Sequence, residues 1–449
     1  MKLNKKYTYF HLLLLHIVIG YTIYVSEVSS KFILLGAICF FLYRIIKNGN
    51  KNDEVLFGAA YVTGFEVLSR MTGGAFTYEF AKYAVIGFLV LGMFYRGFTR
   101  TSWPYVFYLF LLIPGVLISA INLNYDTDVG NAIGFNLSGP VCLGISALYC
   151  YDRKISRQRL ASILQALLFP IISITIYLYF YTPSIRDALE GTASNFAASG
   201  GYGPNQVATV LGLGMFILFT RLLTINKAFI NIIDLVLLAL VSYRGIVTFS
   251  RGGVITAAIC ALVFLIFLYF FNKMESKRNI AIKVGVTACV IFGIWVVSSI
   301  TTLGLIDKRY ANENAAGELK EDITTGRSKL IASELEAFYE YPITGIGVGK
   351  VKEYREDKTG ILSATHNELS RLLSEHGVFG FFAILILLVT PILFWFTNQS
   401  NPYLFAFLAF WFLTINHSSM RIAAPAVIYG FALLNITYEK KKKPTIHRE

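Results

Sequence analysis

Apolar runs of roughly 17–22 residues recur from one end of this 449-residue chain to the other, each about the length that crosses a bilayer as helix. A soluble fold could not hide so much apolar surface, because a large share of any folded chain's area faces water. Composition agrees: 15% of the residues are charged, against about 25% in soluble domains. A transmembrane β-barrel is excluded, since its strands would be about ten residues long with alternating polarity. The net charge of +13 would suit nucleic acid, but the basic residues lie in short loops between apolar runs. They are a topology signal, and no nucleic-acid partner is expected. Cys39, Cys142, Cys150, Cys260 and Cys289 lie within or at the ends of apolar runs without metal-ligand spacing and read as packing residues. The expected fold is an all-α polytopic membrane protein, a single integral membrane domain over 1–449.

The runs predict 12–14 transmembrane helices, near 7–25, 31–46, 54–69, 80–95, 103–122, 130–149, 159–181, 203–220, 227–248, 252–271, 280–300, 370–396, 402–417 and 423–438. Glu66 in the third run, and Asn136 with Gly139-Pro140 in the sixth, leave open a broken or re-entrant helix at either place. The first run follows Lys2, Lys5 and Lys6 and lacks a small-residue cleavage site, so it reads as an uncleaved span.

With the N-terminus in the cytoplasm, the even-numbered connections fall there too, and they are the basic ones. They carry Arg44, Lys47 and Lys51; Arg96 and Arg100; Arg153, Lys154, Arg157 and Arg159; Arg221 and Lys227; Lys273, Lys277 and Arg278; the tail adds Lys440 to Lys443. Short connections on the other side hold few Lys or Arg. Both termini are therefore expected in the cytoplasm. Two longer segments then face outward: the connection 182–202, and the hydrophilic stretch 301–369, where nine Lys/Arg oppose eleven Asp/Glu before His366. Long loops cross whatever their charge, and one this long is functional or disordered. Its content argues for order and short helices.

Within that stretch, Thr365-His366-Asn367-Glu368 reads as a capping box that starts a helix at re-entry into the membrane. His366 then lies in the first turn, where the helix dipole and any nearby Arg disfavour imidazolium. A neutral imidazole at the edge of a wet cavity can accept a proton from a hydroxyl; the bland alternative is that it only lines a helix start. Arg251, in Ser250-Arg251-Gly252-Gly253, opens the tenth run, and Arg244 lies seven residues earlier. Arg327, in Thr324-Thr325-Gly326-Arg327-Ser328, opens another external helix with an apolar face of Ile331, Leu335 and Phe338, stopped at Pro342. Guanidinium groups at helix starts suit a diphosphate; the alternative for each is snorkelling to the headgroups. Gly345-Ile346-Gly347-Val348-Gly349 reads as a tight turn and not a nucleotide loop. Gly203-Pro204-Asn205-Gln206 opens the eighth run, and Asn205 and Gln206 either cap it or hydrogen-bond sugar hydroxyls. No His/Cys cluster offers a metal site, and no metal ion is expected.

From His366 the chain reads His-Asn, nine residues, then Gly377-Val378-Phe379-Gly380, with Ser250-Arg251-Gly252-Gly253, Gly326-Arg327 and Tyr341-Pro342-Ile343-Thr344-Gly345-Ile346-Gly347 upstream. This combination resembles the O-antigen ligase and polymerase superfamily, sharply over 245–385 and by topology elsewhere; the chain has more spans than the ligases carry. The resemblance implies a GT-C-like, metal-independent glycosyltransferase without a cofactor in the bacterial inner membrane, inverting at the anomeric carbon. Its donor would be an undecaprenyl-diphosphate-linked oligosaccharide on the external leaflet. His366 would be the general base, with Arg251 and Arg327 holding the diphosphate, and Arg244, Asn205, Gln206 and Asn367 contacting substrate. Membrane lipid surrounds such an enzyme, and a polymerase of this kind would work with a chain-length regulator.

Three acceptors fit the resemblance: another lipid-linked repeat unit (a polymerase, slightly favoured), lipid A-core (a ligase), or Ser/Thr of an exported protein. A lipid-linked oligosaccharide flippase is the alternative from another class. Flippases often show inverted repeats and charges at mid-membrane; here no repeat is visible and the candidate residues gather at one face. A non-enzymatic scaffold is weaker still.

Overall fold

The computed structural model describes residues 5–271, 277–320, 326–360, 362–363, 365–418 and 420–437. Lys2, Lys273, Thr324, Thr325 and Lys440 to Lys443 lie outside them. The first seven helices are α1 (Lys5–Val25), α2 (Ser29–Asn48), α3 (Glu54–Met71), α4 (Phe80–Arg96), α5 (Trp103–Leu111), α6 (Ile113–Asn122) and α7 (Val129–Cys150). The strand β1 (Lys154–Ser156) then leads into α8 (Arg157–Tyr181), α9 (Pro204–Thr224), α10 (Ala228–Val247), α11 (Arg251–Phe271) and α12 (Lys277–Thr301). Short helices α13 (Leu305–Tyr310), α14 (Arg327–Glu340) and α15 (Val351–Thr359) follow. The chain ends in α16 (Glu368–His376), α17 (Val378–Thr397), α18 (Leu404–Ser418), α19 (Ala424–Ala432) and the strand β2 (Asn435–Thr437). This is an all-α polytopic membrane protein.

Among the described residues ten helical stretches are long and apolar enough to cross a membrane. The other four predicted spans correspond to α3, α4, α18 and α19, which carry charge or are short because protein, not lipid, surrounds much of them. The doubt over the third and sixth runs resolves simply. α3 and α7 are each continuous, with Glu66 and Pro140 buried inside the bundle. The span expected at 423–438 is instead a nine-residue buried helix followed by β2, which pairs parallel with β1.

Two predicted spans are broken. Leu112 separates α5 from α6, just before Pro114. Gly377 separates α16 from α17, with φ 58 and ψ −135, a conformation that side chains resist. A Cβ there would meet the backbone of Ile343 and Gly345 at 2.6 Å. At Gly380 a Cβ would lie 1.9 Å from the Leu372 carbonyl, so this glycine lets α17 press onto α16. The Gly-x-x-Gly pair therefore makes the hinge that sets α16, and the segment preceding it, at one end of the bundle.

That end gathers the long connections. Asn124 and Thr127, between α6 and α7, both donate to the Glu353 carboxylate of α15. Thr192, in the 182–202 segment, donates to the Glu313 carbonyl, and Lys320 donates back to Thr192. Within the 301–369 stretch, Ile346 N–H donates to the Ser374 carbonyl and Gly347 N–H to that of Glu375, so the glycine turn lies against α16. The buried face of α14 is Ser333, Glu334 and Ala337; Ile331, Leu335 and Phe338, expected to be its inner face, are only half-buried. The reason is polar: Glu334 has partners inside.

Candidate functional site

The start of α11 is fixed by close packing. A Cβ on Gly253 would lie 2.0 Å from the Ala208 carbonyl of α9, and one on Gly252 would strike the His417 ring. The two glycines thus let α11 meet α9 and α18 with Arg251 at the mouth of the junction. Gly253→Ala should cost about 1–3 kcal/mol through overpacking, to be read as a lowered unfolding temperature of the purified protein in detergent.

Above that junction lies a cavity of about 320 Å³. Arg251 from α11, Arg309 from α13 and Arg327 from the first turn of α14 line it, with Asn205, Asn416 and His417. Among the described residues lining it there is no carboxylate. The guanidinium groups repel one another. Burial, then Arg251 and Arg327, lower Arg309 from its ordinary value; burial, then Arg251 and Arg421, lower Arg327. Part of the set is held rigidly: Arg309 Nε donates to the Phe249 carbonyl at 3.0 Å, and Arg251 Nη1 to the Arg309 carbonyl at 3.2 Å. A cavity with that lining suits a polyanion.

His366 stands beside it. The expected capping box does not form: Asn367 is the N-cap, its Oδ1 accepting from Leu369 and Ser370 N–H, and α16 begins at Glu368. Thr365 donates instead to Glu334, and Glu368 pairs with Arg371. His366 therefore precedes the helix and does not occupy its first turn. Its low basicity has another cause: burial first, then Arg421, Arg327 and Arg355, bring the imidazole from 6.5 down to about 4. Its buried Nδ1 has no hydrogen-bond partner among the described residues.

A carboxylate clasp joins the helix of Arg327 to the segment of His366. Glu334 is fully buried and accepts from Arg355 Nη2 at 2.7 Å and from the Thr365 and Ser370 hydroxyls. Asn367 adds a bond to Asn416 Oδ1 at 2.8 Å, linking the same segment to the cationic cavity.

Arg421 bears on the same segment. Arg421 Nη2 donates to the Thr365 carbonyl at 2.7 Å. The segment carrying it is gripped by α3 and α4: Glu66 accepts from Ala423 N–H, Arg70 donates to the Arg421 carbonyl, and Lys82 to that of Met420. Gln206 belongs to this grip, accepting from Arg70 and donating to Tyr78, and does not line the cationic cavity. Asn205 does line it and accepts from the Ser250 hydroxyl at 2.8 Å; neither residue caps α9. Arg244 also lies apart from the cavity lining, buried over the Tyr179 ring and donating to the Thr182 carbonyl.

The sequence reading missed Arg309, His417, Glu334 and Arg421. For Arg421 a signal was present: it is a basic residue in a short connection on the side where such residues are scarce. Among the described residues no group of three His, Cys, Asp or Glu is placed to hold a metal ion.

No curated protein and no solved structure matches the chain. Residues 235–385, the segment that carries Arg251, Arg309, Arg327 and His366, match the family model described as O-Antigen ligase, so this part of the chain is similar to the O-antigen ligase/polymerase superfamily.

Proposed function

We propose that the protein transfers an undecaprenyl-diphosphate-linked oligosaccharide to a sugar hydroxyl without a metal ion, at the external face of the inner membrane, with the lipid-linked repeat unit as the favoured acceptor. The observation that carries the reading is the cavity lined by three arginines with no carboxylate among its described lining residues, beside an uncharged histidine. Fixed cations of this kind neutralise a leaving diphosphate, which otherwise calls for a divalent ion. The clustering of the long connections at one end of the bundle, and of Lys and Arg in the other set of connections, supports an external site with both termini in the cytoplasm.

In this reading His366 accepts the proton of the acceptor hydroxyl as its oxygen attacks the anomeric carbon. The bond from that carbon to the diphosphate oxygen breaks, and the diphosphate leaves with the electron pair, held by Arg251 and Arg327. Attack opposite the leaving group inverts the anomeric configuration. Purified protein given lipid-linked repeat units alone should build a ladder of longer lipid-linked chains. Silence until lipid A-core or a protein is added assigns the transfer to that acceptor, and silence with all three removes the reading.

Arg251→Lys should lose about 10²–10³-fold in turnover, because a point charge does not reproduce a bidentate fork on diphosphate. Normal turnover would make Arg251 a structural residue. A chelator should leave the rate unchanged; loss restored by Mg²⁺ would contradict the metal-free mechanism.

A further inference from the structure

Apart from the cationic cavity lies a larger cleft of about 580 Å³ between the α6–α7 connection, the start of α7, and α15. It narrows to a neck of about 10 Å³ lined by Phe135, Asn136, Thr365 and Arg421, so it reaches the residue preceding His366. We propose that this cleft holds the acceptor glycan, and that the sugar it presents to His366 is neutral or amino-substituted, not acidic. The inference rests on the transfer reading above and adds to it the place and class of the second substrate.

Two observations carry it. The first is placement: Thr365, just before His366, lines the cleft and its neck, while Asn367, just after it, bonds Asn416 of the cationic cavity, so the segment of His366 runs between two cavities that share no described lining residue. A hydroxyl that attacks opposite a diphosphate held in the cationic cavity comes from another opening onto this segment, and the cleft is such an opening. The second is lining. Phe135 exposes 38% of its surface, a flat apolar face for the C–H side of a sugar ring. Asn136 spends its amide nitrogen on the Ala132 carbonyl at 2.9 Å, so its oxygen remains as an acceptor for a hydroxyl.

Charge then sets the class. Asp126 and Glu356 stand exposed along the cleft. Of the two cations lining it, Arg371 is buried and committed to Glu368 and Glu375, which leaves Lys352. A uronic acid or a phosphorylated sugar would meet like charge here, whereas hydroxyls and ammonium groups find acceptors.

The test uses the full-length protein in detergent with two probes: undecaprenyl diphosphate, and the repeat-unit oligosaccharide freed from its lipid by mild acid hydrolysis of extract from the source cells. Binding of each is titrated for the parent protein and for the double variant Asp126→Lys with Glu356→Lys, whose exposed sites leave the fold intact. The oligosaccharide should bind the parent and weaken tenfold or more in the variant, while undecaprenyl diphosphate binds both equally and so reports an intact fold. Equal oligosaccharide binding by both proteins overturns the cleft assignment. A repeat unit whose acceptor-end sugar proves to be acidic overturns the charge class. Failure of undecaprenyl diphosphate to bind even the parent would strike the transfer reading instead, which keeps the two outcomes separate.

Discussion

His366→Ala should lower glycan transfer by about 10²–10⁴-fold, the range expected when a positioned general base is removed, while undecaprenyl diphosphate still binds. The ring makes no hydrogen bond through its buried Nδ1 among the described residues, so its loss leaves the segment held by Asn367 and Thr365. Full activity in the purified variant would remove His366 from the chemistry. The pH dependence follows from the same surroundings. With its value lowered to about 4, the free enzyme's imidazole is ready to accept a proton throughout the neutral range. The ratio kcat/KM should therefore stay flat from pH 8 down to about 5 and fall on an acid limb near 4. Stability has the matching sign. A histidine whose proton is held less tightly when folded contributes stability in full above about 6.5, and that contribution is lost as pH falls through about 4. An acid limb near 6.5 would mean that the arginines do not act on the ring.

The second large effect is expected at Glu334, a residue in none of the motifs that carry the resemblance. Glu334→Ala strips the partner from Arg355, which is itself 2% exposed, and leaves the Thr365 and Ser370 hydroxyls without their acceptor. Removing one member of a buried ion pair costs about 3–5 kcal/mol. The unfolding temperature in detergent should fall clearly, and any folded fraction should transfer poorly because Arg327 and His366 lose their common anchor. Glu334→Gln, which keeps an acceptor oxygen but no charge, should fall between the two. An unchanged unfolding temperature in Glu334→Ala would show that α14 is held by other contacts.

Most of the architecture was legible in the sequence because a membrane span is a local property: length and apolarity suffice. Helix after helix begins and ends within a few residues of the predicted run. What was not legible depends on distant backbone. Gly377 divides what reads as a single span, in a conformation fixed where Ile343 and Gly345 crowd it. Thr365 fails as a cap because Glu334, 31 residues away, takes its hydroxyl. Arg251, Arg327 and His366 could be singled out one by one, since each stands next to a motif. Their companions could not: Arg309 looks like any loop cation, and His417 like one more polar end of an apolar helix. Glu66, which left a broken or re-entrant helix open, instead joins Arg70 in reaching across the bundle to hold the segment of Arg421.

The short length of α18 has a consequence for how the donor arrives. Fifteen residues rise about 23 Å, less than the roughly 30 Å thickness of bilayer hydrocarbon, while its neighbours α9 and α11 run to 21 residues. Asn416 and His417, near the end of this short helix, line the cationic cavity. On the proposed reading, a polyisoprenoid can slide its phosphates sideways into that cavity while its tail stays dissolved in oil, so the carrier need not be hauled out into water.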